Sequence, residues 1–179
     1  MAVAQKVQIG EVSNGTLLTE HLIDAFSGTL AQYAPEALAQ IEAEHGDAGF
    51  DADGEIEDQE RAGFYLEALT EALESLAPAY AYFGTTDGDG ACFGFWPDIV
   101  SAETDDRYQD GILKIAAGDQ RPTDVCCIPR QQGGANHGTG CPLASIRYIL
   151  EVTDHGNVSL YDIAHVPANF TGDEVWGIV

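Results

Sequence analysis

Residues 59–96 read QERAGFYLEALTEALESLAPAYAYFGTTDGDGACFGFW, and the change of period inside them decides the fold. Up to Leu76 the apolar positions recur every three or four residues. Ala62, Tyr65, Leu66, Leu69, Ala72, Leu73 and Leu76 therefore share one face of a helix. Pro78 ends that helix, because its ring replaces the N–H that the next turn needs. Beyond it, residues 80–85 and 91–96 are strand-like and flank Thr86-Asp87-Gly88-Asp89-Gly90, a hairpin loop.

Working back towards the start, residues 1–15 are expected to form an irregular arm or a short edge strand. Thr16 or Thr19 is expected to cap a first helix with Leu22, Ile23, Phe26 and Leu30 at spacings of three and four. Pro35 suits the first turn of a second helix, in which Leu38, Ala39 and Ile41 face inward until Gly46 stops it. Residues 47–59 are polar and glycine-bearing, hence a loop.

Working forward, residues 112–117 read as a helix or strand, and the Gly/Pro/Asn-rich stretch 130–140 as a mobile loop. Residues 145–153 and 157–163 form a second hairpin around Asp154-His155-Gly156, and residues 175–179 add a terminal strand. The expected fold class is α+β, with N-terminal helices packed on one face of a C-terminal antiparallel sheet of about four to five strands. One domain is expected over residues 1–179, with an acidic helical half (1–78) and a sheet half (79–179) carrying a Gly/Cys-rich loop at 126–141.

Thirty Asp and Glu face seven Lys and Arg, a formal charge of −23 on 179 residues. Sixteen of the acids precede residue 75, against Lys6 and Arg61 alone, and nine lie between Glu42 and Glu60. Self-repulsion on that scale opposes the compact state, so a basic partner, bound cations or a salty cytoplasm must favour it. The 45% hydrophobic content and the sixteen Phe, Tyr and Trp residues argue against disorder. No run approaches the roughly 18 apolar residues of a membrane span, and the first ten residues lack the apolar core of a signal peptide. A cytoplasmic location with reduced cysteines is the expectation.

The blocks Tyr82-Phe83-Gly84, Asp87-Gly88-Asp89-Gly90 and Phe93-Gly94-Phe95-Trp96-Pro97 resemble a family of small uncharacterised acidic proteins encoded on bacterial plasmids, phages and related mobile elements. Residues 152–161, VTDHGNVSLY, and the segment from Gly15 to Phe26 are similar to the same family. The resemblance implies no established activity and no functional residues. It implies a genetic setting in which proteins that counter host defence are common.

Three readings of the acidity follow. The first is mimicry of nucleic acid: duplex DNA carries one charge per ~1.7 Å, so 23 charges correspond to about 40 Å of duplex. That is roughly the diameter expected for a chain of this length. Glu60, Glu67, Glu71 and Glu74 form one stripe opposite the core face of their helix. The rises between the last three, about 6 and 4.5 Å, are comparable to phosphate spacing. Such a surface suits a basic nucleic-acid-binding host protein, a CRISPR effector or restriction component, and does not itself bind nucleic acid. The candidate partner-binding residues are Glu42, Glu44, Asp51, Asp53, Glu55, Glu57, Glu60, Glu67, Glu71 and Glu74. The second reading is salt adaptation, to which the scarcity of lysine (Lys6, Lys114) also points. The third is a degenerate EF-hand-like calcium loop at 49–60, with Asp51, Asp53 and Glu60 at positions three, five and twelve but Gly49 at position one.

Cys126, Cys127, His137 and Cys141 are an alternative zinc set, although no Cys-x-x-Cys knuckle is present. Otherwise Cys92 and one of the adjacent pair are core residues. His155 lies in a turn, and no nucleophile, base and orienting-acid arrangement or phosphate-cradling loop emerges. The expectation is a non-enzymatic inhibitor without a cofactor.

Overall fold

The computed structural model describes residues 6–46, 49–51, 56–104, 112–116, 148–153, 155–162 and 173–178. The class is α+β, and the chain divides into two compact units, Met1–Pro97 and Asp98–Val179. The hairpin at 81–97, expected to belong with the later strands, lies with the helices.

The first unit contains β1 (Gly10–Ser13), α1 (Thr19–Tyr33), α2 (Pro35–His45), α3 (Gln59–Ser75), β2 (Ala81–Thr86) and β3 (Asp89–Pro97). Its sheet has the order β1-β3-β2, with both pairings antiparallel. The short edge strand expected near the N-terminus is β1. It pairs with β3 across a long stretch of sequence, Gly10 opposite Phe95 and Glu11 opposite Gly94.

The core is built from the periodic positions. Leu22, Ile23, Phe26 and Leu30 of α1 meet Ala62, Tyr65, Leu69 and Leu73 of α3, and Phe83 and Phe95 close the sheet side. The Phe26 ring stands edge-on to Phe83 at 5.0 Å and to Phe93 at 5.5 Å. Each fully buried side chain of this size contributes roughly 1.5–3 kcal/mol.

The helix ends differ from expectation in their chemistry. Neither Thr16 nor Thr19 is the N-cap of α1; Leu18 is, with no side-chain cap. Thr16 spends its hydroxyl on the Leu18 N–H at 3.1 Å, a local turn that competes with capping, and Thr19 lies inside the first turn. Pro35 is the first residue of α2 and drives Ala34 out of the helical region, which breaks α1 from α2. Ile41 is buried and Leu38 half-buried, but Ala39 is exposed, about 100° around the helix from Leu38.

Gly46 ends α2 at φ 71°. There the Arg61 guanidinium donates to the His45 carbonyl at 3.0 Å, satisfying an end carbonyl of one helix from the first turns of another. Asp58 caps α3 by accepting from the Glu60 and Arg61 N–H groups, both at 3.1 Å.

The second unit contains α4 (Ile99–Thr104), β4 (Ile112–Ala116), β5 (Tyr148–Val152), β6 (Val158–Asp162) and β7 (Asp173–Ile178). These strands form a separate sheet in the order β4-β5-β6-β7, so the strands are shared between two sheets of three and four. The β5–β6 and β6–β7 pairings are antiparallel, whereas β4 runs parallel to β5. Parallel pairing cannot be closed by a tight hairpin turn, and the two strands are far apart in sequence. The adjacent residues Ile149 and Leu150 are both 1% exposed, so both faces of β5 are covered.

Candidate functional site

The two units differ in charge. Residues 1–97 hold eighteen Asp and Glu against Lys6 and Arg61, a net of −16; residues 98–179 carry the remaining −7. Among the described acids of the first unit, only Glu20 is half-buried, and the others are exposed.

The structure describes eight of the ten predicted partner-binding acids: Glu42, Glu44, Asp51, Glu57, Glu60, Glu67, Glu71 and Glu74 are all exposed. Asp53 and Glu55 lie outside the described residues. Glu42 and Glu44 are on α2, where Glu44 accepts from the Gln40 amide at 3.1 Å. The others are on α3 or the segment leading into it, and α2 packs against α3.

Glu74 differs from the rest of its stripe. Its carboxylate accepts the Phe83 backbone N–H at 2.5 Å, joining the last turn of α3 to β2. A nine-residue separation that crosses a helix end and a turn hid this bond from helical periodicity. Glu60, Glu67 and Glu71 make up the rest of the exposed stripe, and an aromatic residue stands among them. Phe64 is 55% exposed, four residues after Glu60 and three before Glu67. Both spacings place neighbours on one helix surface. The signal was available: Phe64 falls outside the apolar stripe of its own helix.

Burial raises the Tyr65 phenol pKa, the Ser27 hydroxyl pulls it the other way, and Glu42 adds to the rise. Tyr65 is also in edge contact with His45 at 6.0 Å, which ties α2 to α3 below the acidic surface. Cys92 is buried, as expected of a core cysteine. Burial raises its thiol pKa first, and Glu11 and Asp89 add to the rise. An inert thiol results, since the thiolate is the reactive form.

Within the 49–60 loop, the Gly49 carbonyl accepts from Glu57 N–H at 2.9 Å and Asp58 N–H at 3.2 Å, and Phe50 bridges to Ile56. Gly49 has φ 77°, and a Cβ there would lie 2.7 Å from the Asp58 carbonyl, so this position favours glycine on steric grounds. Asp51 is exposed and Glu60 sits in the first turn of α3. The zinc candidates Cys126, Cys127, His137 and Cys141 lie outside the described residues. Among the described residues, no group of three or more His, Cys, Asp and Glu is gathered to hold a metal.

Asp89 accepts from Ala91 N–H at 2.9 Å and so shapes its turn. His155 is exposed beside Gly156, whose φ is 81°. Among the described residues, no helix is long and apolar enough to cross a membrane.

Comparison with models of protein families, with curated proteins and with solved structures finds no match for this chain.

Proposed function

We propose that the first unit is a non-enzymatic inhibitor that presents an acidic helical face to a basic, nucleic-acid-binding protein of the host. The target class we favour is a CRISPR effector or restriction component, following the resemblance to proteins of mobile elements. The observation that carries this reading is the α3 surface, where exposed Glu60, Glu67 and Glu71 surround exposed Phe64. Carboxylates attract cationic side chains and steer association. An aromatic ring among them adds a stacking surface for guanidinium groups. Uniform salt adaptation calls for acids on every face; here −16 of the −23 falls in the first unit.

The test is capture from a host lysate by the full chain and by a variant with Glu42, Glu60, Glu67 and Glu71 changed to Lys. The wild-type chain should retain a nucleic-acid-binding protein at low salt and release it as salt rises, and the variant should retain none. Equal retention by a variant whose helical content is unchanged would rule this face out. A salt-adapted protein would instead lose structure at low ionic strength. A calcium module would gain thermal stability on adding calcium and lose it to a chelator.

A further inference from the structure

The sheet of the first unit has two edges, and they are treated differently. At the β2 edge the Phe83 N–H is taken by the Glu74 carboxylate. A charged side chain laid over an edge closes it to strand addition. At the other edge, β1 pairs among the described residues with β3 on one side only.

Which groups β1 presents outward follows from the register. Because the Phe83 N–H turns away from β3, alternation turns the N–H and C=O of Phe95, its partner in register, towards β1. Gly10, opposite Phe95, therefore directs its own groups inward, and Glu11, opposite Gly94, directs its N–H and C=O to the open side. Beside this edge runs a groove of about 270 Å³, with Gln8, Ile9 and Val12 on one wall and Thr29, Gln32 and Tyr33 of α1 on the other. These walls combine apolar side chains (Ile9, Val12) with polar ones (Gln8, Gln32), which suits the side chains of an extended peptide more than a compact charged ligand.

We propose that the β1 edge and its groove take an extended segment of a cationic partner protein as a fourth strand. The proposal rests on the acidic-face reading for the sign of the partner's charge. A second copy of this chain would bring another unit of −16 against the first, whereas a segment rich in lysine or arginine is drawn to it. Backbone pairing along β1 then fixes the partner's register, and the net charge of the unit draws its cations.

The test uses the full chain and a six-residue peptide alternating lysine and valine, with a second peptide of the same sequence methylated at every amide nitrogen. The two carry equal charge, but only the first can pair with a strand. The unmodified peptide should bind at least ten-fold tighter and slow amide exchange at Glu11. Glu11→Pro, which removes the outward N–H, and Gln32→Trp, which fills the groove from the exposed helix side, should each abolish that preference. Equal affinity for the two peptides overturns the edge proposal and leaves the acidic-face reading standing. A ten-fold preference that persists in Glu11→Pro also overturns the edge proposal, because the pairing then does not run through β1. Binding of neither peptide overturns the edge proposal, and capture from lysate then decides the acidic-face reading on its own.

Discussion

Gly94 of β3 lies so close beneath β1 that a Cβ on it would collide with the Gly10 carbonyl, and it would also approach Glu11 Cα at 3.0 Å and the Trp96 ring at 2.9 Å. Two of those three neighbours are backbone, which cannot swing aside. Gly94→Ala should therefore destabilise the first unit by about 1–3 kcal/mol, the usual range for overpacking. Gly28 and Gly63 are the internal controls. Both sit in helices with nothing near a new Cβ, and alanine there should stabilise by roughly 0.5–1 kcal/mol. Denaturant midpoints measure all three, and a harmless Gly94→Ala would mean that β1 does not approach β3 as described.

The Glu74–Phe83 bond predicts a graded series. Glu74→Ala should cost up to about 1 kcal/mol, the net worth of one hydrogen bond at a site that water can also reach. Glu74→Gln keeps an acceptor and should cost less, while both changes relieve the same repulsion by removing one charge from a crowded acidic surface. If Gln and Ala cost the same, the carboxylate is not holding the β2 edge.

Phe64 separates affinity from stability. Because the ring is 55% exposed, Phe64→Ala should leave the unfolding midpoint within about 0.5 kcal/mol of wild type. Partner binding should nevertheless fall by about three- to ten-fold, since a cation stacked on an exposed ring is worth roughly 0.5–1 kcal/mol and rather more once water is excluded. Phe64→Trp should preserve it. Affinity that depends on charge alone would leave Phe64→Ala unaffected, and titration calorimetry with the captured partner distinguishes the two.

Alkaline pH should destabilise the first unit. The Cys92 thiol is pushed above its ordinary 9.0 by burial, with Glu11 and Asp89 adding to the rise, and the Tyr65 phenol above its ordinary 10.0 chiefly by burial. Above those ordinary values the unfolded chain has released protons that the folded chain still holds, so stability falls as pH rises through the window above pH 9. Cys92→Ala should flatten the first part of that decline. Alkylation of Cys92 in the folded protein should be much slower than in denaturant at neutral pH, and equal rates would contradict its burial.

Local structure was legible in the sequence wherever one periodicity dominated. The buried face of α3 is read directly from Ala62, Tyr65, Leu69 and Leu73, and Pro35 and Gly46 bracket α2 as their backbone preferences require. What was not legible is pairing at a distance. Nothing in residues 10–13 announces Phe93 and Phe95 as strand partners, and Ile112 gives no sign that it runs parallel beside Tyr148. The same limit applied at the candidate site. The exposed glutamates follow from helix geometry, whereas the bond that removes Glu74 from the stripe depends on where β2 comes to rest.

The pairing of β1 with β3 also sets an order of assembly. Synthesis delivers β1 first and its partner residues 93–95 last within the unit, with all three helices in between. A nascent or truncated chain that stops short of Phe93 already contains α3 and its carboxylates, yet has no strand against which Gly10 and Glu11 can lie. The acidic stripe and the open edge are thus completed at different moments in the life of the chain. Early termination separates them without changing a single residue of either.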